Sequence, residues 1–98
     1  MADKNFIIKE NSWIAKIAAM KLHANAVAIV IGKTIHLHNT SKDDFLKNER
    51  WLRHELCHVQ QFRQHGYISF IIKYLWESIR KGYYNNKYEA EARLAEEK

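Results

Sequence analysis

The chain has 98 residues, of which 47% are hydrophobic and 12% aromatic, and its formal net charge at pH 7 is +5. This length predicts a single domain over residues 1–98, and the hydrophobic content excludes an intrinsically disordered chain. The Lys and Arg residues are spread along the chain without a basic block, so nucleic-acid binding is not expected. The longest apolar stretch, residues 67–76, contains Lys73 and is shorter than the roughly 20 residues that a membrane-spanning helix needs.

A reducing compartment is favoured by the cysteine content. Cys57 is the one cysteine, which excludes an intramolecular disulfide framework. The first five residues include the polar Asp3, Lys4 and Asn5, and no apolar signal-peptide core follows them. A cytoplasmic location is therefore expected, whereas the pattern does not indicate an oligomeric state.

The N-terminal part predicts an irregular lead-in followed by a helix. Residues 6–8 have an extended character within a lead-in over residues 1–11. Apolar residues then recur at helical spacing up to about residues 22–23, and Ser12 is a suitable N-cap for this helix.

Two strands are predicted next. The apolar, β-branched run 26–31 predicts a buried strand, and the alternating run 34–38 predicts a half-exposed one. Gly32 and Lys33 predict a tight hairpin between them. His36 and His38 share one face of the second strand and are interpreted as strand-surface residues.

A long helix is predicted from Ser41, its N-cap, to about residue 64. Its apolar residues lie on one broad face, opposite a pair of histidines. Residues 67–81 predict a nearly apolar helix that ends at Gly82 and forms a core element against the long helix. A membrane-surface role for it is not favoured, because no polar face is systematically basic. Four aromatic residues are assigned to the core: Trp51, Phe70, Tyr74 and Trp76.

A last helix, over residues 87–97, is predicted with Asn85 or Asn86 as its cap. The predicted elements together indicate an α+β class, in which a small β-sheet packs on three to four helices in one compact domain.

The long helix contains the sequence HELCH, in which His54 and His58 fit the pattern H-E-x-x-H. Residues four apart lie one above the other on a helix, so the two imidazoles can bind one cation. Glu55 lies at the edge of the same face, where it can reach a water on that cation. Cys57 is interpreted as a small buried side chain rather than a ligand.

Two histidines do not complete a catalytic zinc site, which usually has three protein ligands. The last helix offers Glu89 and Glu91 as candidates for the third. These two residues are about 200° apart around a helix, so only one of them is expected to face the metal.

The HELCH sequence, followed about thirty residues later by Glu89-x-Glu91-Ala92, resembles the gluzincin metallopeptidases, in particular their minimal single-domain members. The resemblance covers about two-thirds of the chain. It implies a zincin-like domain in which His54, His58 and Glu89 bind Zn²⁺. Arg93 departs from the pattern, because related chains often have Asp or Asn there to support a ligand histidine. Either another acid takes that role or the orientation of the site differs, and Glu91 remains an alternative ligand.

The resemblance implies a zinc-dependent metallopeptidase that hydrolyses peptide bonds through a zinc-activated water, with Glu55 as the general base. A peptide or unfolded protein is the expected substrate, bound by strand addition to residues 34–38. The candidate oxyanion donors, chosen by residue type, are Tyr83, Tyr84 and His65. The alternatives are a non-catalytic zinc-binding domain with a regulatory or protein-interaction role, and a latent peptidase. The presence of Glu55 favours the enzyme, since a structural zinc site needs no base beside its ligands.

Overall fold

The computed structural model of the protein describes residues 6–98 and confirms the predicted α+β class. Residues 1–5 of the predicted lead-in lie outside the described residues. In chain order the elements are β1 (Ile7–Lys9), α1 (Trp13–Leu22), β2 (Val27–Ile31), β3 (Thr34–His38), α2 (Lys42–Lys47), α3 (Glu49–His65), α4 (Tyr67–Asn85) and α5 (Lys87–Ala95). None of the helices in this described part combines the length and hydropathy needed to cross a bilayer.

The three strands form one sheet in the order β1-β3-β2. β1 pairs parallel to β3, and β2 pairs antiparallel to it with Ile31 opposite Thr34, which confirms the predicted hairpin. Gly32 supplies the positive φ of 66° in the turn. A Cβ atom at this position would lie 2.7 Å from the Tyr67 ring, so the turn also needs glycine for its close contact with α4.

The prediction that β3 is half-exposed is wrong. β3 is the central strand, and Ile35, His36 and Leu37 are all buried. The assignment of His36 to the strand surface is therefore also wrong, whereas His38 is partly exposed. Burial, together with the charge of Lys9, lowers the pKa of His36, and its Nδ1 forms a hydrogen bond with the Ser12 hydroxyl at 2.8 Å.

Ser12 connects α1 to the sheet, as well as capping the helix as predicted. Its Oγ accepts from the Ala15 N–H and shares a hydrogen bond with Nδ1 of His36, and the residue is buried.

We expect Ser12→Ala to lower the free energy of unfolding by about 2 kcal/mol, because it removes a cap and leaves a buried imidazole without its hydrogen-bond partner. Ser41→Ala is the matched control, since it removes an exposed cap alone and should cost about 1 kcal/mol or less. Urea unfolding of both variants measures the difference, and equal losses would contradict the role of the buried pair.

The predicted helix over residues 41–64 is divided into two. Ser41 caps α2 as predicted, but Asn48 has a ψ of 90° and ends that helix. The Asn48 side chain then accepts from the Trp51 N–H at 3.1 Å and begins α3. An Asn side chain that bonds to the nearby backbone competes with the helical hydrogen bonds, which explains the break.

α4 is less buried than its apolar composition predicts. Its helical φ/ψ angles are interrupted at Gly82, close to the predicted end, and a further turn reaches residue 85. Phe70 belongs to the core, and Trp51 and Tyr74 pack against it, as predicted. Trp76 is 59% exposed, so its assignment to the core is wrong.

The main core lies between the sheet, α2, α3, α4 and α5. Its buried members are Val30, Ile35, Leu37, Phe45, Val59, Phe62, Phe70 and Tyr88. α3 packs on α5 and on β2, and so carries the HELCH residues between the sheet and the last helix.

Candidate metal centre

The two histidines of the HELCH sequence lie on one face of α3. His54 and His58 are separated by one helical turn, and their ring centroids are 5.1 Å apart. Glu55 is buried next to them, at 5% exposure. Helical spacing therefore produces the arrangement that the sequence predicts.

α5 brings Glu89 to this pair. Oε1 of Glu89 lies 3.1 Å from Nε2 of His54 and 3.2 Å from Nε2 of His58. The three side chains offer ligand atoms within 4.8 Å of one another, so they are close enough to hold one metal ion. Glu91 is directed elsewhere and accepts from the Gln61 side-chain amide at 2.6 Å.

Several residues fix the start of α5, and the sequence predicted Asn86 among them. Asn86 is the cap, since its Oδ1 accepts from the Tyr88 N–H at 2.8 Å. Its side-chain amide also donates to the Tyr74 carbonyl and the Ser78 hydroxyl on α4. The Lys87 N–H donates to the buried carboxylate of Glu77. These contacts orient the first turn of α5, where Glu89 lies.

Both histidines have an acceptor on the outer nitrogen. Nδ1 of His54 lies 2.7 Å from Oε2 of Glu96, and Nδ1 of His58 lies 2.8 Å from Oε1 of Gln61. The Gln61 amide nitrogen donates to the Tyr88 carbonyl, so its oxygen faces His58 and accepts. Each Nδ1 therefore carries a proton, which leaves Nε2 available as a metal ligand.

The electrostatics of the centre favour a cation. Burial alone would lower the pKa of His54, but its hydrogen bonds to Glu89 and Glu96 and the charge of Glu55 raise that pKa to about 9. Burial would likewise raise the pKa of Glu89, but its bonds to His54 and His58 hold it well below the ordinary value. Protons on the two Nε2 atoms account for the contacts with Glu89, and a metal ion would replace those protons.

The donor set is suited to a metal ion with an open coordination position. Two imidazole nitrogens and one carboxylate oxygen are a combination that catalytic sites use, with a fourth position for water or substrate. Tyr74 donates its hydroxyl proton to Oε2 of Glu89, which directs Oε1 towards the histidines. Burial, followed by the charge of Glu89, raises the pKa of Tyr74, so the hydroxyl stays protonated as a donor.

The supporting contact to a histidine of the centre is made by Glu96 and not by Arg93. Arg93 donates to the Tyr84 carbonyl at 2.7 Å and stacks on the Tyr84 ring, away from the histidines. Glu96, seven residues after Glu89, contacts His54 instead. Arg53 donates twice to the Glu96 carbonyl, at 3.1 and 2.8 Å, and so ties the end of α5 to α3.

We expect Glu96→Ala to weaken metal binding by roughly 10- to 100-fold, because the outer carboxylate orients the His54 ring and raises its basicity. Glu97→Ala is the matched control, because Glu97 is exposed and pairs with Arg50 rather than with a histidine. Competition with a chromophoric chelator measures both affinities. Equal affinities in the two variants would remove the supporting role of Glu96.

A cavity of about 370 Å³ opens beside the three candidate ligands. Glu55 lines it together with both histidines, and apolar side chains of α1, β2 and α4 form the remaining walls. Burial, opposed by the charges of His58 and His54, raises the pKa of Glu55 to about 7.

The prediction that a peptide binds by strand addition to residues 34–38 is wrong. Residues 34–38 form β3, which is paired on both edges, so this strand cannot accept another. β2 is the edge strand on this side of the sheet, and all of its residues line the cavity.

Of the three oxyanion candidates, Tyr83 lines the cavity. Tyr84 is directed towards Arg93, and His65 stacks on Phe70 outside the cavity wall. Cys57 is half-buried and lies outside the group of three candidate ligands, and burial raises the pKa of its thiol to about 11.

Tyr74, Gln61 and Glu96 were not predicted as site residues. Helical spacing could have indicated Gln61 and Glu96. Gln61 follows His58 by three residues, and Glu96 follows Glu89 by seven, which is two helical turns. No such spacing indicated Tyr74, because its contact with Glu89 depends on how α4 packs against α5.

One family model matches the part of the chain that carries the two histidines of this centre. The model of the eCIS core domain family matches residues 12–66, more than half of the chain. The match runs from the cap of α1 to the end of α3 and includes the HELCH sequence, whereas Glu89 lies beyond it. No curated protein and no solved structure matches the chain. The chain belongs to the eCIS core domain family.

Proposed function

We propose that the protein is a zinc-dependent metallopeptidase that hydrolyses peptide bonds in peptides or unfolded proteins. The observation that carries this proposal is the convergence of His54, His58 and Glu89 beside a buried glutamate, Glu55, at the wall of an apolar cavity. A structural site would need the three ligands and a fourth, but neither the glutamate nor the cavity.

Zn²⁺ is the proposed metal because it accepts imidazole and carboxylate ligands together in sites with an open position. When bound, the ion would polarise the scissile carbonyl and lower the pKa of a water at that position. The resemblance to minimal gluzincins, carried by the same residues, supports this choice. The single cysteine supports a cytoplasmic, reducing setting for the protein.

Glu55 is the proposed general base. Its carboxylate lines the cavity next to both histidines, where it can take a proton from the attacking water and give it to the leaving amine.

The substrate backbone is proposed to lie along β2, because an extended peptide can pair with an edge strand through main-chain hydrogen bonds. The apolar walls of the cavity would then contact the side chains next to the scissile bond. Tyr83 is the proposed donor to the developing oxyanion. Burial, followed by the charges of Glu89 and Glu55, raises its pKa to about 12, so it remains a proton donor at neutral pH.

The test is digestion of an unfolded protein substrate by the zinc-loaded chain, with new termini read by mass spectrometry. We expect cleavage that stops when a chelator removes the metal and returns when zinc is restored, and that is at least about 100-fold slower in the zinc-loaded Glu55→Gln variant. No cleavage by a chain with one zinc bound would assign the protein to the non-catalytic or latent class. Failure to bind zinc would remove the basis of the proposal.

A further inference from the structure

One face of α4 exposes a row of apolar side chains, of which Leu75 also lines the cavity. Its members are between 54% and 78% exposed, and we call them the α4 stripe: Ile68, Ile72, Leu75, Trp76 and Ile79. Their spacing of three and four residues puts them on one side of the helix, opposite buried Phe70 and Glu77. A soluble domain seldom exposes such a row without a partner.

The charges next to the α4 stripe are all positive. Lys73 and Arg80 are exposed, and they precede and follow Trp76 by three and four residues, along one edge of the stripe. Glu77 is the one acid of the helix, but it is buried and bound to the Lys87 N–H. Because this acid is buried, the exposed polar face of α4 is basic, although the composition of the helix alone does not show it.

α1, which also borders the cavity, likewise exposes both apolar and basic side chains. It exposes Trp13, Ile17 and Met20 together with Lys16 and Lys21, and its sequence contains no acid. The exposed carboxylates between residues 6 and 98 lie outside α1 and α4: Glu10, Asp43, Asp44, Glu49, Glu91 and Glu97.

We propose that the α4 stripe binds an anionic lipid surface, with α4 lying in the interface between headgroups and acyl chains. Aliphatic side chains and a tryptophan would enter the apolar layer, while Lys73 and Arg80 would contact the acidic headgroups. Tyrosine and tryptophan favour this interface, and Tyr67 and Tyr84 are exposed at the two ends of the helix.

Charge complementarity favours this occupant over a second copy of the chain. An identical face would bring more cations and no exposed acid to pair with Lys73 and Arg80. An anionic lipid layer supplies both the negative charge and the apolar phase.

The experiment is flotation of the full chain with vesicles of phosphatidylcholine alone or with 30% phosphatidylglycerol. We expect binding to the anionic vesicles, weakened by 0.5 M NaCl because the charges are screened. Tryptophan fluorescence should shift to the blue on binding, since Trp13 and Trp76 are exposed and Trp51 is already partly buried. Trp76→Phe should remove much of that shift.

Matched variants separate the apolar and ionic contributions. Ile72→Ser with Ile79→Ser should lower the partition coefficient by at least tenfold, whereas Leu94→Ser, an equally exposed leucine on α5, should leave it unchanged. Arg80→Glu should lower it by roughly fivefold or more, and Lys47→Glu on α2 should not. These side chains are exposed, so circular dichroism should show an unchanged fold in every variant.

Three outcomes would overturn the proposal. Absence of binding to anionic vesicles is the first, and binding that the isoleucine variants do not change is the second, because it would reflect net charge alone. The third is a stable dimer by sedimentation that Ile72→Ser with Ile79→Ser dissociates, which would assign the face to a second copy. The result does not depend on peptidase activity, since Glu55→Gln should bind the vesicles as the parent does.

Discussion

Glu89→Ala is expected to lower the zinc affinity of the chain by a factor on the order of 10³, because it removes one of three ligands from a small site. Oε1 of Glu89 is the atom that both histidine Nε2 atoms face, at 3.1 and 3.2 Å. Without it, His54 and His58 would have to bind the ion with solvent alone. The Tyr74 hydroxyl would also lose its acceptor.

Glu91→Ala is the control for this experiment, since the two glutamates lie on the same helix and Glu91 bonds to Gln61 instead. Zinc affinity is measured by competition with a chromophoric chelator, and thermal unfolding gives an independent readout. Added zinc should raise the unfolding temperature of the parent and of Glu91→Ala, but not that of Glu89→Ala. Loss of zinc in Glu91→Ala with retention in Glu89→Ala would reverse the ligand assignment.

Glu55→Gln is expected to lower the rate of peptide hydrolysis by roughly 10²- to 10⁴-fold while zinc stays bound, because the amide has the shape of the carboxylate but cannot accept the proton. Glu55 is outside the group of three candidate ligands, so zinc affinity should change little. Burial of a carboxylate is costly, and its neutral replacement should leave the fold at least as stable.

The matched control is Glu49→Gln, which changes an exposed glutamate of the same helix that pairs with Arg53. Steady-state cleavage of a fluorogenic peptide, chosen from the termini that mass spectrometry finds, gives both rates. Full activity in zinc-loaded Glu55→Gln would require another base, and an equal loss in Glu49→Gln would indicate a general defect of α3.

The features that the sequence alone determined are local ones. The cap Ser12, the hairpin at Gly32 and the spacing of His54 and His58 depend on residues within a few positions of each other, where backbone preference and helical geometry decide the outcome. The α+β class followed from such elements taken together. The position of Glu55 relative to the histidines followed in the same way.

Tertiary structure determined the features that depend on which elements pack against each other. The strand order put β3 in the centre of the sheet and buried His36, and the packing of α4 buried Glu77 while it exposed Trp76. The contact of α5 with α3 selected Glu89 over Glu91 and brought Glu96 to His54. Contacts between distant segments arise when apolar faces are buried together, and the helical spacing of two glutamates does not say which of them will face a partner helix.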